Sequence, residues 1–264
     1  MILGIVQARV SSSRLPGKVL KPLAGAPMIL RQVERVERAR CLDGLMIATS
    51  TDVSDDVLAS LCEKNGVVCF RGSLNDVLDR FYRAAEGVHP DHVVRLTGDC
   101  PLIDPDVIDR VMELHVREDN EYTSNTIAPT YPDGLDVEVL RFSVLEEAWR
   151  YAELPSEREH VTSFVHTRPE RFRCGSLLRD GEDLSSMRWT VDEPEDYAFV
   201  KAVYDSLYPA NPTFSTDDVL ELLRKRPDLE SLNDGFERNE GYTRSLLEDQ
   251  AFVHRQNHKG GERA

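Results

Sequence analysis

Long hydrophobic runs are missing from this 264-residue sequence. No apolar stretch approaches the roughly 18 residues that a membrane-spanning helix needs, so we expect no membrane partner. Residues 1–6 form a short apolar run with no basic segment before it, which is not typical of a secretory signal. Cysteine is scarce, with five residues and no C-x-x-C pair, and this favours reduced thiols in a cytoplasmic protein.

Positive charge is also in deficit, because the formal net charge is −15. Such a charge repels phosphate backbones and anionic lipid surfaces, so we expect no nucleic-acid partner. The deficit is uneven, since residues 1–40 hold eight basic side chains against two acidic ones. A local anion site near the N-terminus is therefore expected.

Two familiar phosphate-binding motifs are absent as well. Gly17-Lys18 is followed by Val19 instead of Ser or Thr, and Ser12 stands where a P-loop would have its first glycine. The dinucleotide fingerprint G-x-G-x-x-G does not occur. Neither a P-loop NTPase nor a dinucleotide-binding enzyme is indicated.

A regular alternation of strand-like and helix-like segments is present. Strands are predicted at 2–7, 45–49, 67–70, 92–97 and 187–191, and helices near 27–40, from Ser54, from Ser73 and from Pro105, with Asp104 as the cap. This order predicts an α/β fold with a mostly parallel, mixed sheet flanked by helices.

The alternation is interrupted between about residues 120 and 165, where polar and turn-forming residues are frequent. We expect a small inserted lobe there, used for substrate or dimer contacts. Residues 254–264 are polar and glycine-rich and are predicted to form a flexible tail. The remaining residues, 1–253, are predicted to be a single domain.

A basic loop follows the first predicted strand directly, over residues 7–18. It carries Arg9, Arg14 and Lys18 among small residues. Ligands of open parallel sheets bind beyond the carboxyl ends of the strands, and loop N–H groups there bind phosphate oxygens. The three cations therefore predict a triphosphate site, with a solvated basic loop as the alternative.

Carboxylates follow two of the predicted strands. Asp99 comes after the strand 92–97 and Gly98, and Asp192 follows the apolar run Trp189 to Val191. Magnesium binds one or two carboxylates together with substrate phosphates, so the pair predicts a Mg²⁺ site. A single such Asp would more simply cap a turn.

Several long motifs resemble the acylneuraminate cytidylyltransferase family, in its spore-coat polysaccharide branch. They are QARVSSSRLPGKVLKPLAGAPMI, FRGSLNDVLDRFYRAA, RLTGDCPLIDP, YPDGLDVEVL, SEREHVT and WTVDEPED, and the resemblance covers roughly residues 1 to 230. The resemblance implies a nucleotide-diphospho-sugar transferase (Rossmann-like) fold. It also implies Mg²⁺-dependent transfer of CMP from CTP to a sialic-acid-like or related acidic sugar, with release of pyrophosphate, in a homodimer.

The resemblance assigns roles to residues of this chain. Arg9, Arg14 and Lys18 are expected to hold the triphosphate, with Arg9, Lys18 and Asp99 acting in catalysis and Asp99 and Asp192 holding Mg²⁺. Further nucleotide contacts are expected from Ala8, Thr97, Gly98, Arg71 and Ser73, although Ser73 also fits a helix cap. Relatives commonly have glycine where this chain has Ser11, so a positive φ there would strain the loop.

Two polar segments, 131–138 and 156–160, are assigned to the acceptor. The predicted contacts are Asp133, Asp136, Glu138, Arg158 and His160. Arg158 fits a sugar carboxylate, and His160 fits the attacking hydroxyl, which it would orient or deprotonate. The alternatives are a solvated helix face for Arg158 and a structural role for His160.

Three other functions remain open at this point. One is CMP transfer to a phosphonate or another non-sugar acid. The second is a glycosyltransferase, for which Asp104-Pro105-Asp106 has the D-x-D pattern. The third is a binding protein that has lost turnover, against which the joint presence of Arg9, Lys18, Asp99 and Asp192 argues.

Overall fold

The computed structural model describes residues 1–233, 235, 236 and 240–261, and a seven-stranded sheet forms its centre. The strands are β1 (Ile2–Gln7), β2 (Pro22–Leu23), β3 (Ala26–Pro27), β4 (Gly44–Ser50), β5 (Cys69–Gly72), β6 (His92–Thr97), β7 (Tyr122–Ser124), β8 (Glu138–Arg141) and β9 (Cys174–Ser176). Their order in the sheet is β5-β4-β1-β6-β8-β7-β9, while β2 and β3 form a separate hairpin.

The sheet is mixed and mostly parallel. Strands β5, β4, β1 and β6 run parallel to one another, and β8 is antiparallel to both of its neighbours, β6 and β7. Strand β9 is parallel to β7. The predicted fold class is confirmed.

Helices cover both faces of the sheet. They are α1 (Met28–Val36), α2 (Asp56–Lys64), α3 (Val77–Glu86), α4 (Pro105–Arg117), α5 (Phe142–Tyr151), α6 (Pro155–His160), α7 (Ser163–His166), α8 (Pro194–Leu207), α9 (Thr216–Lys225) and α10 (Glu240–Gly261). Leu3 and Ile5 of β1 pack with α3, α5 and α7, and Val6 packs with α1, α4 and α8. Alternate residues of the strand thus face opposite layers, as its period of two requires.

Sequence patterns located most of these elements. Strands β1 and β6 have the predicted bounds, and Asp104 caps α4 with Pro105 at its first position. The strand predicted at 187–191 is wrong, because this segment makes an isolated bridge between Arg188 and Asp133. Its apolar pattern arises because Trp189 and Val191 are buried in the core.

The segment 120–165, predicted as an inserted lobe, contributes β7 and β8 to the central sheet and continues into α5, α6 and the start of α7. Residues 254–261, predicted as a tail, continue helix α10, and residues 262–264 lie outside the described part of the chain. None of the helices described here combines the length and hydropathy required to cross a membrane.

Candidate active site

The basic loop after β1 is held by contacts at both of its ends. The amide of Val10 donates to the buried Asp55 carboxylate at 2.7 Å, and the amide of Gly17 donates to the Val10 carbonyl at 3.0 Å. Gly17 has φ +70°, a conformation that glycine adopts without steric cost. Ser11 is not among the residues with positive φ, so serine causes no strain at that position.

The ends of β1 and β6 approach each other closely beside this loop. The amide of Gly98 donates to the Gln7 carbonyl at 2.8 Å. A Cβ at position 98 would lie 2.8 Å from the Ala8 Cβ and 2.9 Å from the Gln7 carbonyl oxygen. Glycine is therefore required for this contact, which places Asp99 next to the basic loop.

Asp192 reaches the same place without a strand. The segment before it is fixed to the turn after β6, because the amide of Val191 donates to the Asp99 carbonyl at 2.8 Å. Upstream, the amide of Trp189 donates to the Asp133 carbonyl at 2.6 Å. Two loop contacts thus bring the second carboxylate beside the first.

Lys18 joins the two carboxylates. Its ammonium lies 3.0 Å from Asp99 Oδ2 and 2.8 Å from Asp192 Oδ1, and it also donates to the Val191 carbonyl at 2.8 Å. Arg14 contacts the other oxygen of Asp192 at 2.8 Å and Glu193 at 3.3 Å. The carboxylates and the cations of the basic loop form one charge network.

Burial and these contacts act in opposite directions on the pKa values. Burial alone would lower the pKa of Lys18, but the Asp99 and Asp192 carboxylates outweigh it and raise the pKa above its ordinary value. Burial would raise the pKa of Asp99, but the Lys18 charge and hydrogen bonds lower it to about 2. Both groups are therefore charged at neutral pH.

A cavity of about 260 Å³ opens over this network, and we call it the first cavity. Nine of the residues predicted from the sequence line it: Ala8, Arg9, Arg14, Lys18, Thr97, Gly98, Asp99, His160 and Asp192. The predictions missed Gln7, Ser12, Ser13, Val19, Val77, Arg80 and Glu159, which also line it.

Arg80 is the most informative of the missed residues. It is 2% exposed, and its Nε is buried with no hydrogen-bond partner among the described residues. Burial and the nearby Arg9 charge lower its pKa to about 10, which leaves it positively charged at neutral pH. Its position three residues after Val77, on the apolar face of α3, was a usable signal, because an arginine there needs an anionic or polar partner.

The structure does not bring Arg71 and Ser73 to the first cavity. Arg71 donates to the carbonyls of Ser50 and Asp52 at 2.9 and 3.0 Å. The Ser73 hydroxyl accepts from the amide of Asp76, and Asp76 is the residue that caps α3. The alternative that Ser73 is the helix cap is therefore wrong, while contact of these residues with the base stays a prediction.

A second cavity, of about 350 Å³, adjoins the first, and Thr97 and His160 line both. Its lining residues are Arg95, Thr97, Tyr122, Thr126, Ile127, Asp136, Glu138, His160, Thr162, Ser163, His166 and Tyr242. They come from β6, β7, β8, α6, α7 and α10 and from the connections around these elements. This cavity is assembled from segments that are far apart in the sequence.

Helix α10 closes one side of the second cavity. The Tyr242 ring lies 5.1 Å from the His160 ring, edge to face. The Ser245 hydroxyl lies 2.8 Å from His160 Nε2, and the Ser156 amide donates to Asp249 at 2.9 Å. The C-terminal helix therefore fixes α6, which carries His160.

The predicted acceptor residues divide into two groups. Asp136, Glu138 and His160 line the second cavity. Asp133 lies beside Arg188 at 3.6 Å, and Arg158 forms a two-oxygen contact with Asp76 at 3.1 and 3.0 Å. The structure places neither Asp133 nor Arg158 on a wall of the two cavities.

Asp99 and Asp192 are suited to a divalent cation. Within the described residues, no group of three or more His, Cys, Asp or Glu side chains is arranged to hold a metal ion. The two carboxylates nevertheless share one cation, the Lys18 ammonium, so they converge where positive charge is favoured. Magnesium commonly takes one or two carboxylates and completes its shell with phosphates and water, and this pair fits that requirement.

The D-x-D reading of residues 104–106 is wrong. Asp104 is 5% exposed, caps α4 through the amide of Asp106, and accepts from the Thr216 amide at 2.8 Å. Its carboxylate is thus used in linking two helix starts. Neither Asp104 nor Asp106 lines the first or second cavity.

A basic loop and one carboxylate follow the ends of two parallel strands, and loop contacts hold a second carboxylate beside them. Together with the adjoining second cavity, this arrangement defines a nucleotide-dependent transferase. The chain belongs to the cytidylyltransferase family, which it matches over residues 3–227. It is therefore an enzyme, and the resemblance that the sequence motifs indicated is confirmed.

Three similar proteins come from different organisms. The spore coat polysaccharide biosynthesis protein SpsF of Bacillus subtilis is 37% identical over 234 residues, which cover 86% of this chain and 95% of that protein. The mitochondrial 3-deoxy-manno-octulosonate cytidylyltransferase of Arabidopsis thaliana is 36% identical over 140 residues, 51% of this chain and 47% of that protein. A solved cytidylyltransferase from Leptospira borgpetersenii has 32% identity and a TM-score of 0.83, covering 90% and 99% of the two chains.

Proposed function

We propose that this cytidylyltransferase transfers CMP from CTP to an acidic sugar and releases pyrophosphate, in the synthesis of a surface polysaccharide. One relative is named for a sugar acid and another for spore coat polysaccharide synthesis. The observation that carries the proposal is the pair of adjoining cavities with the shared residues Thr97 and His160. They suit a nucleotide and an acceptor that react where the cavities meet.

In this proposal the first cavity binds CTP. Arg9, Arg14, Lys18 and Arg80 supply positive charge around the triphosphate, and loop amides donate to its oxygens. Asp99 and Asp192 would hold Mg²⁺. The bound ion would supply a Lewis acid that offsets charge on the phosphates.

The second cavity binds the sugar so that one hydroxyl faces the α-phosphorus. A new bond forms between this oxygen and the α-phosphorus. The bond from the α-phosphorus to the oxygen that bridges the α- and β-phosphates breaks, and pyrophosphate leaves with the electron pair of that bond. His160 accepts the hydroxyl proton. Burial, followed by the Arg95 charge, lowers the pKa of His160, so the ring is neutral at neutral pH and has a nitrogen lone pair for the proton.

We also propose a cytoplasmic homodimer that pairs through residues 120–165. The exposed Ile127 and Tyr151 in this segment support the pairing, with 45% and 59% of their surface accessible. The cytoplasmic location is supported by the five cysteines, all of which are free thiols. Light scattering at micromolar concentration tests the dimer, and a monomer mass would contradict it.

The proposed function is tested by pyrophosphate release with Mg²⁺, each of the four nucleotides, and a panel of acceptors. The panel holds 3-deoxy-manno-octulosonate, N-acetylneuraminate, a neutral hexose and an aminoalkyl phosphonate. We expect release that requires CTP and a sugar acid together. Equal rates with UTP and CTP would contradict the assignment of the nucleotide. Turnover of the phosphonate and of no sugar acid would show that the acceptor is a phosphonate.

A further inference from the structure

The second cavity has one fixed positive charge among its described lining residues, and it belongs to Arg95. His160 and His166 also line this cavity, but burial lowers the pKa of each, so both are neutral at neutral pH. Asp136 and Glu138 add negative charge. An acceptor with a carboxylate therefore meets a single permanent cation in this cavity.

Glu138 holds Arg95 in a fixed orientation. Arg95 Nη1 contacts Glu138 Oε2, while the other oxygen of Glu138 accepts from the hydroxyls of Tyr122, at 2.6 Å, and Thr162. Arg95 Nε donates to Gln7 Oε1 at 3.2 Å. The Arg95 side chain is 11% exposed, and its guanidinium is held on two edges by partners from β1 and β8.

These two contacts use Nε and Nη1, and within the part of the chain that the structure describes the donors on Nη2 are left for a ligand. The position also suits the reaction. Arg95 lies two residues before Thr97 on β6, and Gln7, its partner, lines the first cavity. A carboxylate bound to Arg95 would keep the sugar beside the junction of the two cavities.

We propose that Arg95 recognises the carboxylate of the acidic acceptor and that Glu138 positions the guanidinium for this contact. The proposal rests on the proposed function, since it presumes an acidic sugar in the second cavity. It replaces the sequence-based assignment of Arg158 to this role. Asp76 already contacts the guanidinium of Arg158 through both carboxylate oxygens.

The test compares 3-deoxy-manno-octulosonate with its carboxamide, which has nearly the same size and no charge. In the unmodified protein we expect kcat/KM for the acid to exceed that for the amide by about 30-fold, as a charge-assisted hydrogen bond gives. In Arg95→Met the two values should approach each other. A purely structural role of Arg95 would lower both rates equally and leave their ratio unchanged.

Removing Arg95 alone leaves a buried carboxylate without its cation, which can prevent folding. The double variant Arg95→Met with Glu138→Gln removes both charges and retains an oxygen for Tyr122 and Thr162. It should show the same loss of preference for the acid. Glu138→Gln alone keeps the Arg95 charge, so this variant should still prefer the acid over the carboxamide. It should bind the acceptor more weakly, because Arg95 is less well positioned.

Arg141→Met is the matched control, because Arg141 is also a sheet arginine in an ion pair but lines neither cavity. It should leave the ratio unchanged. An unchanged ratio in the double variant, with an active parent protein, would overturn the role of Arg95 and leave the proposed function standing. Turnover of the amide or a neutral sugar in preference to every acid would overturn both.

Discussion

The two cavities differ in how the chain builds them. The first takes most of its walls from the ends of β1 and β6 and from the loop after β1, so its chemistry lies in short contiguous motifs. The second collects single residues from β6, β7, β8, α6, α7 and α10 and the loops near them. The nucleotide chemistry is thus encoded locally, whereas acceptor selectivity depends on how distant segments pack.

Asp99→Asn is expected to have the largest effect, and it should affect the chemistry of the first cavity without affecting acceptor binding in the second. Asparagine keeps the shape but removes a charge that holds Lys18 and would hold Mg²⁺. We expect pyrophosphate release to fall more than about a hundredfold, or about 2.7 kcal/mol of transition-state stabilisation. The rate is measured across a Mg²⁺ titration.

Acceptor binding to Asp99→Asn should stay near that of the parent protein, since Asp99 does not line the second cavity. Calorimetry with 3-deoxy-manno-octulosonate measures this. If Asp99 were only a turn cap, Asn would replace it with little loss, because the two residues cap about equally well. A near-normal rate of pyrophosphate release by Asp99→Asn at limiting Mg²⁺ would therefore show that Asp99 is not part of the active site.

A substitution of His160 tests the chemistry proposed at the junction of the two cavities, because this residue lines both of them. His160→Gln removes the proposed proton acceptor and should lower kcat about a hundredfold, as loss of a general base commonly does. The KM values for CTP and acceptor should change less. In the parent protein kcat should fall on the acid side of the lowered pKa of His160, where the ring is protonated.

The matched control for this prediction is His92→Gln. His92 is another partly buried histidine whose pKa is lowered by burial, and it lines neither cavity. It should leave both kcat and its pH profile unchanged. A His160→Gln enzyme that keeps the parent profile would show that another group accepts the proton.

Gly98→Ala should disturb the first cavity through the backbone. The new Cβ would lie 2.8 Å from the Ala8 Cβ and 2.9 Å from the Gln7 carbonyl oxygen, and neither atom belongs to a flexible side chain. We expect the free energy of unfolding to fall by about 2 kcal/mol, as is typical of overpacking. Urea denaturation measures this loss.

Gly87→Ala provides the comparison, because a Cβ at position 87 meets no atom of the described residues within 4 Å and φ there is −65°. It should be neutral. Equal stability of the two variants would mean that the ends of β1 and β6 are free to separate, so that Gly98 is not needed for the site.

The smallest effect concerns stability in acid. The pKa of Asp99 is lowered from 3.8 to about 2 in the folded protein. A lowered carboxylate pKa stabilises the fold above the unfolded value, and this contribution is lost as pH falls through the folded value. It amounts to about 2 kcal/mol, and roughly half should be gone by pH 3.

Urea midpoints at pH 6 and pH 3 measure this loss for the parent protein and Asp99→Asn. The parent should lose more stability than the variant over this interval. Equal losses would show that the Lys18 contact does not hold the pKa of Asp99 down.

The same contrast explains what the sequence alone could predict. Arg9, Arg14, Lys18 and Asp99 follow strands whose apolar patterns are plain, so their meeting at one sheet edge was predictable. Asp192 was predicted for a partly wrong reason, because the segment before it is no strand and is fixed by loop contacts with Asp99 and Asp133.

The acceptor side was less accessible to such reasoning. Arg95 and Glu138 look like ordinary members of two strands until the antiparallel pairing of β6 with β8 sets them opposite each other. Tyr242 lies beyond residue 227, where the family match ends. No local pattern indicates which arginine pairs with which acid, so the sequence predicts Arg158 for the acceptor carboxylate, whereas we propose Arg95.

The central claim is that a nucleotide in the first cavity reacts with an acid in the second. Mass spectrometry of the products from CTP and 3-deoxy-manno-octulosonate tests it most directly. We predict a CMP-linked sugar acid formed in equal amount with pyrophosphate, and none of it from Asp99→Asn at limiting Mg²⁺. Formation of CMP and pyrophosphate with the sugar unchanged, or of no pyrophosphate at all, would contradict the account.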